Sequence, residues 1–163
     1  RKRIEIMGVK SRRKGANGEL EFIKLLSDSF PSYEFQRNYD QAAKSGFDVK
    51  GLPKFGIEVK RYKRGRLYQL DWWEQVVEAV KPHRILPMLA YRFDRTEWNI
   101  LVPAQWVVGN EVDRHDITCH MPYKDFVNVY EKHDEIEKEF KEHKDELEEA
   151  EEHYQAFMQS MAD

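Results

Sequence analysis

One stretch of the chain, FGIEVKRY at residues 55–62, constrains the fold more than any other. Apolar and polar residues alternate in it, and a period of two predicts a strand with one face in the core. Side chains two apart share a face of a strand, so Ile57 and Val59 are expected to point into the core and Glu58 and Lys60 to point together the other way. The stretch therefore predicts a central strand that presents an acid and a base side by side.

The residues before this strand predict a helix and two shorter strands. Between Ala16 and Phe30, apolar residues recur at helical spacing, and the helix is expected to close before Pro31. These stripe residues are Leu20, Ile23, Leu26 and Phe30. The sequence YEFQRNY then predicts a strand, DQAAKSG a loop, and FDVKG a short strand whose Phe47 and Val49 are expected in the core.

The residues after the central strand predict a second helix and two more strands. The helix YQLDWWEQVVEAVK is expected to end at Pro82. Its expected core residues are Leu70, Trp73, Val76 or Val77, and Val80. RILPMLAYRF and EWNILVP predict the strands of a hairpin across DRTE, and AQWVVG predicts a short helical turn closed by Gly109. This order of elements predicts an α/β or α+β sheet flanked by helices.

The C-terminal residues predict a long acidic helix with an apolar stripe. Its apolar residues recur with alternating spacings of four and three, which is typical of a helix that packs on another helix. The stripe consists of Ile136, Phe140, His143, Leu147, Ala150, Tyr154, Phe157 and Met161. The alternative is an acidic helix that lies on the protein's own core or frays. The chain is therefore divided into a basic N-terminal arm (1–15), a central domain (16–130) and this helix (131–163).

Charge is segregated along the chain although the net charge is only −3. Residues 1–66 contain 17 Lys and Arg against 8 Asp and Glu, whereas residues 131–163 contain 4 against 13. Lys and Arg gain affinity for a polyanion by releasing its phosphate counterions, so the basic half suggests such a partner; a solvated surface is the alternative. The single Cys119 and the lack of a signal-like or membrane-spanning stretch indicate a soluble intracellular protein of the cytoplasm or nucleoid, with no membrane partner.

Asp48, Glu58 and Lys60 are the main candidates for catalytic residues. Asp48 lies ten residues before Glu58 on a short strand, so a hairpin-like return is expected to bring the two carboxylates together. Adjacent carboxylates repel unless a cation joins them, and Mg²⁺ prefers oxygen ligands. Such an ion makes a water nucleophilic and stabilises charge on a phosphate, while Lys60 orients the water or adds positive charge. The alternative is that Asp48 is a turn residue and that Glu58 and Lys60 form an ordinary salt bridge.

A third carboxylate is expected from the first helix, where Glu19 and Glu21 are both candidates. Helical phase separates the two, because Glu19 lies about 100° from the core-facing Leu20 whereas Glu21 projects elsewhere. At most one of them is expected to reach the site.

Four separated motifs make the sequence resemble a known family. RRKGANGELEFIKLL, FQRNY, SGFDVKG and GIEVKR occur in the order in which the archaeal-type Holliday junction resolvases, within the PD-(D/E)xK nuclease superfamily, carry similar segments. The resemblance covers about residues 11–103. It implies an α/β, restriction-endonuclease-like core with a mixed central sheet flanked by helices, here followed by the long C-terminal helix.

The resemblance also implies roles for individual residues. The first catalytic Glu falls on Glu19 rather than Glu21, the metal-binding Asp on Asp48, and the Glu-x-Lys pair on Glu58 and Lys60. The implied metal ligands are Glu19, Asp48 and Glu58. Known members of the family are homodimers that use Mg²⁺, for which Mn²⁺ is expected to substitute, to nick two opposed strands of a four-way junction.

Other residues are candidates for the site or for DNA contacts. Gln75 resembles a Gln that related nucleases place on the helix after the Glu-x-Lys strand, although Gln is also common on solvent-facing helices. The expected nucleic-acid contacts are Arg13, Lys14, Arg37, Ser45, Arg61, Lys63 and Arg64. Trp72 and Trp73 are expected to divide between core and surface rather than to stack on bases. The stretch DRHDITCH, residues 113–120, lacks paired zinc-ligand spacing and is expected to be a loop.

These features predict a Mg²⁺-dependent, structure-selective DNA endonuclease that resolves four-way junctions as a homodimer; a phage-encoded origin is compatible with them. Two alternatives stay open. One is a PD-(D/E)xK nuclease that acts on duplex or flap DNA, and the other is a non-catalytic DNA-binding or scaffold module. The tail from Glu131 onward is expected to contribute to the homodimer, by crossing onto the basic half of the partner rather than by forming a free coiled coil.

Overall fold

A central sheet of six strands organises the first of two compact units, Arg1–Phe126; the second is Val127–Asp163. The computed structural model describes residues 2–39, 46–109 and 117–161, with side chains described from residue 15 onward. In chain order the elements are α1 (Lys2–Ser29), β1 (Gln36–Arg37), β2 (Val49–Lys50), β3 (Phe55–Tyr62), α2 (Leu70–Val80), β4 (Leu86–Phe93), β5 (Asn99–Pro103), α3 (Ala104–Val108), β6 (Thr118–Pro122) and α4 (Tyr123–Ser160).

The strands lie in the sheet in the order β1-β2-β3-β4-β5-β6, which is their order in the chain. Neighbouring strands are antiparallel except β3 and β4, which run parallel from the pair Phe55–Leu86 to the pair Tyr62–Phe93. A parallel pair requires a crossover connection, and α2 supplies it. The sheet is therefore mixed and flanked by helices, and the chain ends in a long helix, as the sequence predicts.

α2 covers one face of the sheet with a broader apolar surface than the predicted stripe. Its buried residues are Trp72, Trp73, Val76, Ala79 and Val80. Leu70 is exposed, contrary to the prediction, because it is the first residue of the helix and precedes the buried face. Both tryptophans are buried, which corrects the expectation that they divide between core and surface. Trp72 stacks on Tyr62 with ring centroids 4.7 Å apart, so its indole is already covered by the protein's own aromatic ring.

α1 differs from the sequence prediction in where it begins and in which face it buries. The helix begins at Lys2 rather than Ala16, in a segment without proline and with good helix formers such as Lys, Arg and Met. Its buried residues, Gly18, Phe22 and Leu26, recur at intervals of four, and Phe30, just after the helix, continues the series. Leu20, predicted for the core, is 54% exposed. Gly18 explains this phase, because a Cβ there would lie 2.9 Å from the Cβ of Arg61 on β3, so only a glycine permits this close approach.

A sixth strand, β6, is absent from the sequence prediction, which assigns residues 113–120 to a loop. Thr118, Cys119 and His120 lie in this strand and pair antiparallel with β5, whereas residues 113–116 are outside the described residues. The side chains of β6 are only partly buried, so the sequence lacks the apolar alternation of a core strand. Backbone pairing with the open edge of β5 forms the strand instead.

The predicted C-terminal apolar stripe lies on α4, within the second unit, and its large residues are exposed. Ile136, Phe140, Leu147, Tyr154, Phe157 and Met161 each have more than half of their surface accessible to solvent. None of the helices in the described part of the chain combines the length and the apolar character needed to cross a membrane.

Two glycine substitutions test how tightly β3 is packed. A Cβ at Gly56 would lie 2.6 Å from Val80 Cγ1 and 2.9 Å from Phe47 Cδ1, and both neighbours are buried. Gly56→Ala is therefore expected to lower the free energy of unfolding by about 1–3 kcal/mol. Gly15→Ala is the matched control, since nothing lies within 4 Å of its added Cβ and alanine favours a helix. Thermal unfolding should show opposite shifts for the two variants, and equal shifts would contradict this packing.

Candidate active site

The register of β2 against β3 brings Asp48 beside Glu58, which is the return that the sequence predicts. Val49 pairs with Ile57, so the residues next to them, Asp48 and Glu58, also lie opposite each other on the antiparallel strands. The backbone N–H of Asp48 donates to the carbonyl of Ile57 at 2.8 Å. Its carboxylate oxygen Oδ2 accepts the backbone N–H of Val59, also at 2.8 Å. The Asp48 side chain thus extends the ladder of hydrogen bonds by which β2 is attached to β3.

Glu58, Lys60 and Gln75 form a closed triangle of polar contacts. Lys60 Nζ lies 2.7 Å from Glu58 Oε1, and Gln75 Nε2 donates to the same oxygen at 2.9 Å. Lys60 Nζ also donates to Gln75 Oε1 at 3.0 Å. Gln75 comes from α2, so this helix and β3 together hold the group. The predicted candidate Gln75 is therefore in direct contact with both members of the Glu-x-Lys pair.

The Glu58 carboxyl is the most deeply buried charged group of the candidate site. Its residue is 2% exposed, and Oε2 makes no hydrogen bond among the described residues. The pKa of Glu58 is raised to about 7, first by burial and then by the nearby Asp48 carboxylate, against the opposing effect of Lys60. For Lys60, burial lowers the pKa, but the Glu58 and Asp48 carboxylates outweigh burial, so the net pKa is raised and the ammonium stays charged.

Glu19 on α1 lies in the same electrostatic environment. Burial raises its pKa and the Asp48 carboxylate adds to that rise, while a hydrogen bond from Arg37 opposes it. Arg37 Nε donates to Glu19 Oε2 at 2.5 Å, and this bond in turn raises the pKa of Arg37. The expected phosphate contact Arg37 thus pairs with the expected metal ligand Glu19 in this structure.

Glu21 has a different set of partners. Its two carboxylate oxygens accept hydrogen bonds from Arg61 on β3, at 2.8 Å, and from Arg92 on β4. The Arg92 guanidinium also lies 5.5 Å from the centre of the Trp98 ring. The structure therefore separates the two candidate acids of α1: Glu19 is coupled to Asp48, whereas Glu21 joins α1 to the sheet. Arg61, predicted to contact DNA, is placed in this second group.

The remaining predicted DNA contacts are only partly described. Lys63 and Arg64 are exposed in the segment that follows β3. Arg13 and Lys14 are part of α1, but only their backbone is described, not their side chains. Ser45 lies outside the described residues altogether.

Sequence inspection also missed a residue that supports Asp48. Asn38 is 7% exposed, its backbone N–H donates to the Asp48 carbonyl at 2.8 Å, and its Nδ2 donates to the Phe47 carbonyl at 2.9 Å. These two bonds tie the chain after β1 to the chain just before β2. An amide in a stretch that alternates polar and aromatic residues is a usable signal, because a buried amide must find hydrogen-bond partners.

The carboxylate oxygens of Glu19, Asp48 and Glu58 are of the chemical type that binds a divalent cation. In the described ranges, no three His, Cys, Asp or Glu side chains are close enough together to hold an ion as they stand. Arg37 is paired with one oxygen of Glu19, and Lys60 with one oxygen of Glu58. Nevertheless Glu58 Oε2 is buried and without a hydrogen bond, and the Asp48 carboxylate raises the pKa of both other acids. Mutual repulsion among hard oxygen donors is what a divalent ion relieves.

Glu58→Gln tests the burial of this carboxyl through stability rather than activity. The folded pKa of about 7 exceeds the ordinary value of 4.5, so between these values the folded chain binds more protons than the unfolded chain. The stability contributed by the protonated acid is therefore complete below about pH 4.5 and is lost as the pH rises through about 7.

In EDTA at pH 8, Glu58→Gln is expected to be more stable than the parent by about 2–3 kcal/mol, with the difference shrinking towards pH 5. Thermal or denaturant unfolding across this pH range measures it. Glu74→Gln, on the exposed side of α2, is the matched control and should leave the pH profile unchanged. A constant difference at all pH values would contradict a buried, destabilising charge at Glu58.

The match to a protein family covers almost the whole chain. Residues 10–161 match a family described as "Phage putative PDDEXK endonuclease". No curated protein sequence matches the chain significantly. Among solved structures, the fold is similar to that of Hjc from Archaeoglobus fulgidus, a Holliday junction resolvase of an archaeal hyperthermophile. The two share 19% sequence identity with a TM-score of 0.44, and the match covers 68% of this chain and 89% of that one.

The family match includes every motif on which the sequence resemblance rests, from the residues before Glu19 to the strand that carries Glu58 and Lys60. It confirms the resemblance to the PD-(D/E)xK superfamily and the predicted restriction-endonuclease-like core. Nucleases of this superfamily generally use divalent metal ions, in keeping with the acidic donor set described above. This chain belongs to the phage PDDEXK endonuclease family and is a nuclease of the PD-(D/E)xK superfamily.

Proposed function

We propose that this chain is a Mg²⁺-dependent endonuclease that resolves four-way DNA junctions by paired nicks, acting as a homodimer inside the cell. The observation that carries the chemistry is the buried Glu58 carboxyl next to Asp48 and Lys60; one of the Glu58 carboxyl oxygens has no hydrogen bond in the described part of the chain. The preference for branched DNA is supported by the four sequence motifs that resemble archaeal-type resolvases. Two equivalent sites related by a two-fold axis would place the two nicks on opposed strands.

Three carboxylates would hold the metal ion: Glu19, Asp48 and Glu58. Mg²⁺ is the proposed ion, with Mn²⁺ as a substitute, because all of the donors are hard oxygens. A bound divalent cation supplies positive charge that makes a water more acidic and stabilises charge building on the scissile phosphate. Arg37 Nε is bonded to Glu19 Oε2, and the other N–H groups of its guanidinium would donate to a DNA phosphate.

Lys60 and Gln75 have distinct roles in this proposal. An ammonium has three N–H donors, and two of those of Lys60 are used by Glu58 Oε1 and Gln75 Oε1. The third is available to a water or to a phosphate oxygen at the reacting centre. Gln75 acts as a positioning residue, because it bonds both Glu58 and Lys60 and so fixes their relative orientation.

A single set of cleavage reactions tests the proposal. A labelled four-way junction, a duplex of the same arm sequence and a flapped duplex are each incubated with the full chain and Mg²⁺, Mn²⁺ or EDTA. Paired nicks in the junction with either metal, and none in EDTA, are expected. Faster cleavage of the duplex or of the flapped duplex would identify that DNA, rather than the junction, as the preferred substrate. Binding without cleavage in either metal would favour the non-catalytic module.

Asp48→Asn and Glu58→Gln are expected to lower the rate of junction cleavage by more than about 100-fold, because each removes a carboxylate that holds the ion. Junction affinity should be retained or improved, since each variant also removes a negative charge that repels phosphate. Gel-shift titration measures the affinity and single-turnover cleavage measures the rate. Asp71→Asn, an exposed acid at the start of α2, is the matched control. Cleavage by Asp48→Asn or Glu58→Gln at the parental rate would refute the site.

The basic residues of β3 and of the segment after it are expected to separate into two groups. Lys63→Ala and Arg64→Ala should each weaken junction binding and reduce the salt dependence of affinity by about 0.9 in the log–log slope. Arg61→Ala should instead lower the melting temperature, because Arg61 is bonded to Glu21. Lys81→Ala, which removes an exposed cation where α2 ends, is the control and should change neither property. An unchanged slope for both Lys63→Ala and Arg64→Ala would exclude them as phosphate contacts.

A further inference from the structure

The second unit of the chain carries an apolar surface that the nuclease site does not use. We define the C-terminal seam as the eight residues that follow the four-three alternation along α4: Ile136, Phe140, His143, Leu147, Ala150, Tyr154, Phe157 and Met161. Every one of them is exposed, and the six large apolar or aromatic members are between 57% and 73% exposed. A stripe of this length on one helix is the pattern of a surface that packs on another helix.

The residues that flank the C-terminal seam decide which helix it fits. On one side lie Glu137, Lys144, Glu151 and Met158, and on the other Lys132, Glu139, Glu146, His153 and Ser160. Most of the remaining acids of the tail lie on the outer surface of the helix: Asp134, Glu135, Glu142, Asp145, Glu148, Glu149 and Glu152. The strong negative charge of the tail therefore faces away from the seam, and only the flanking residues would meet a partner helix.

We propose that the C-terminal seam pairs with the same seam of a second copy of this chain, in the antiparallel orientation, with Phe140 opposite Phe157 and Leu147 opposite Ala150. This register also places Tyr154 opposite His143 and Ile136 opposite Met161. The pairing is isologous, because each contact occurs twice about a two-fold axis. It rests on α4 alone and holds whether or not the chain cuts four-way junctions.

Packing favours this register over a parallel one. In a parallel pair each seam residue meets its own copy, so Ala150 would face Ala150 and leave a gap, and His143 would face His143 in the middle of the seam. In the antiparallel register the small Ala150 lies opposite the larger Leu147, and His143 lies opposite Tyr154, which accepts or donates a hydrogen bond. The large residues are thus distributed evenly along the pair.

Flanking charge fits the antiparallel register and disfavours its slipped forms. Antiparallel pairing places Lys144 next to Glu151 of the second copy and Glu146 next to His153 of the second copy, so no like charges meet. A slip of one heptad in either direction would bring Lys144 onto Lys144 or Glu151 onto Glu151. Parallel pairing would join Lys132 to Glu137 and Glu139 to Lys144, but it would also set Glu146 against Glu151.

This proposal differs from the sequence-based expectation that the tail crosses onto the basic half of a partner. That expectation used the total of 13 acids against 4 bases, which counts the outer residues of the helix together with the flanking ones. Within one chain, Lys144 has only a 3.5 Å ion pair with Glu148, and both side chains are more than 60% exposed. Such an exposed pair is worth little, so Lys144 is free to turn towards Glu151 of a second copy.

Charge reversal in the full-length chain tests the orientation. Lys144→Glu and Glu151→Lys should each raise the dimer dissociation constant about tenfold, because each variant sets two like-charge pairs across the interface. The double variant should restore the parental value. A parallel pair predicts the reverse for Glu151→Lys, which would tighten the dimer by removing its repulsion from Glu146. Lys141→Glu and Glu152→Lys, which make the same changes on the outer surface, are the matched controls, and sedimentation equilibrium is the measurement.

Disulfide trapping tests the register independently. In a Cys119→Ser background, Phe140→Cys and Phe157→Cys chains are oxidised separately and after mixing. Antiparallel pairing predicts a covalent dimer only in the mixture, in which each dimer contains one chain of each variant. One of its two 140–157 contacts is then the disulfide, and the other is still formed by two phenylalanines. Covalent dimers from either variant alone would show a parallel pair, and no covalent dimer in the mixture would refute the register. A monomeric parent chain at tens of micromolar would overturn the proposal, while junction cleavage is scored separately.

Discussion

The burial of one carboxyl group, that of Glu58, is the constraint on which the site depends. A charged group in a protein interior is tolerated only with partners, and each partner of Glu58 is supplied by a different part of the fold. These partners are Lys60, two residues along the same strand, and Gln75, on the helix that crosses over to β4. The Asp48 carboxylate, just before β2, instead opposes the ionisation of Glu58. Because β3 and β4 are parallel, α2 must cross the face that carries Glu58, and Gln75 reaches it from there.

Glu19 and Glu21 are two residues apart on α1 but have different partners in the fold. Glu21 accepts hydrogen bonds from Arg61 and Arg92, which lie on two strands of the sheet, so it fixes α1 against β3 and β4. Glu19 has one arginine partner, Arg37, and that residue is itself part of the short edge strand β1. Glu21, which anchors the helix, is thus bonded to two strands of the sheet, whereas Glu19 is paired with one arginine of an edge strand.

The sequence was sufficient to predict the strands that carry Asp48, Glu58 and Lys60, because alternation and spacing are local properties of the chain. It was insufficient wherever burial depends on a neighbour that is distant in sequence. The phase of α1 depends on the approach of Gly18 to Arg61, which no helical stripe reveals, and Leu20 was therefore misplaced.

Contacts between residues distant in sequence also explain the other differences between the sequence prediction and the structure. β6 forms by pairing with the edge of β5, and its own residues show no apolar alternation. Arg61 resembles its basic neighbours in the sequence, and its ion pairs with Glu21 and Asp94 give it a structural role. Trp72 is buried because Tyr62 at the end of β3 covers it. Three-dimensional proximity, rather than residue type, decided each of these cases.

The hydrogen bond between the Asp48 carboxylate and the Val59 amide has a consequence for how such an enzyme can evolve. It makes an acid of the candidate site part of the sheet itself, so this acid cannot move without loosening β2 from β3. Lys63 and Arg64, in contrast, are exposed on the segment between β3 and α2. Under the proposed function, substitutions there would alter DNA binding while the acids keep their positions. The strength of DNA binding could therefore be changed without disturbing the backbone that holds the acids.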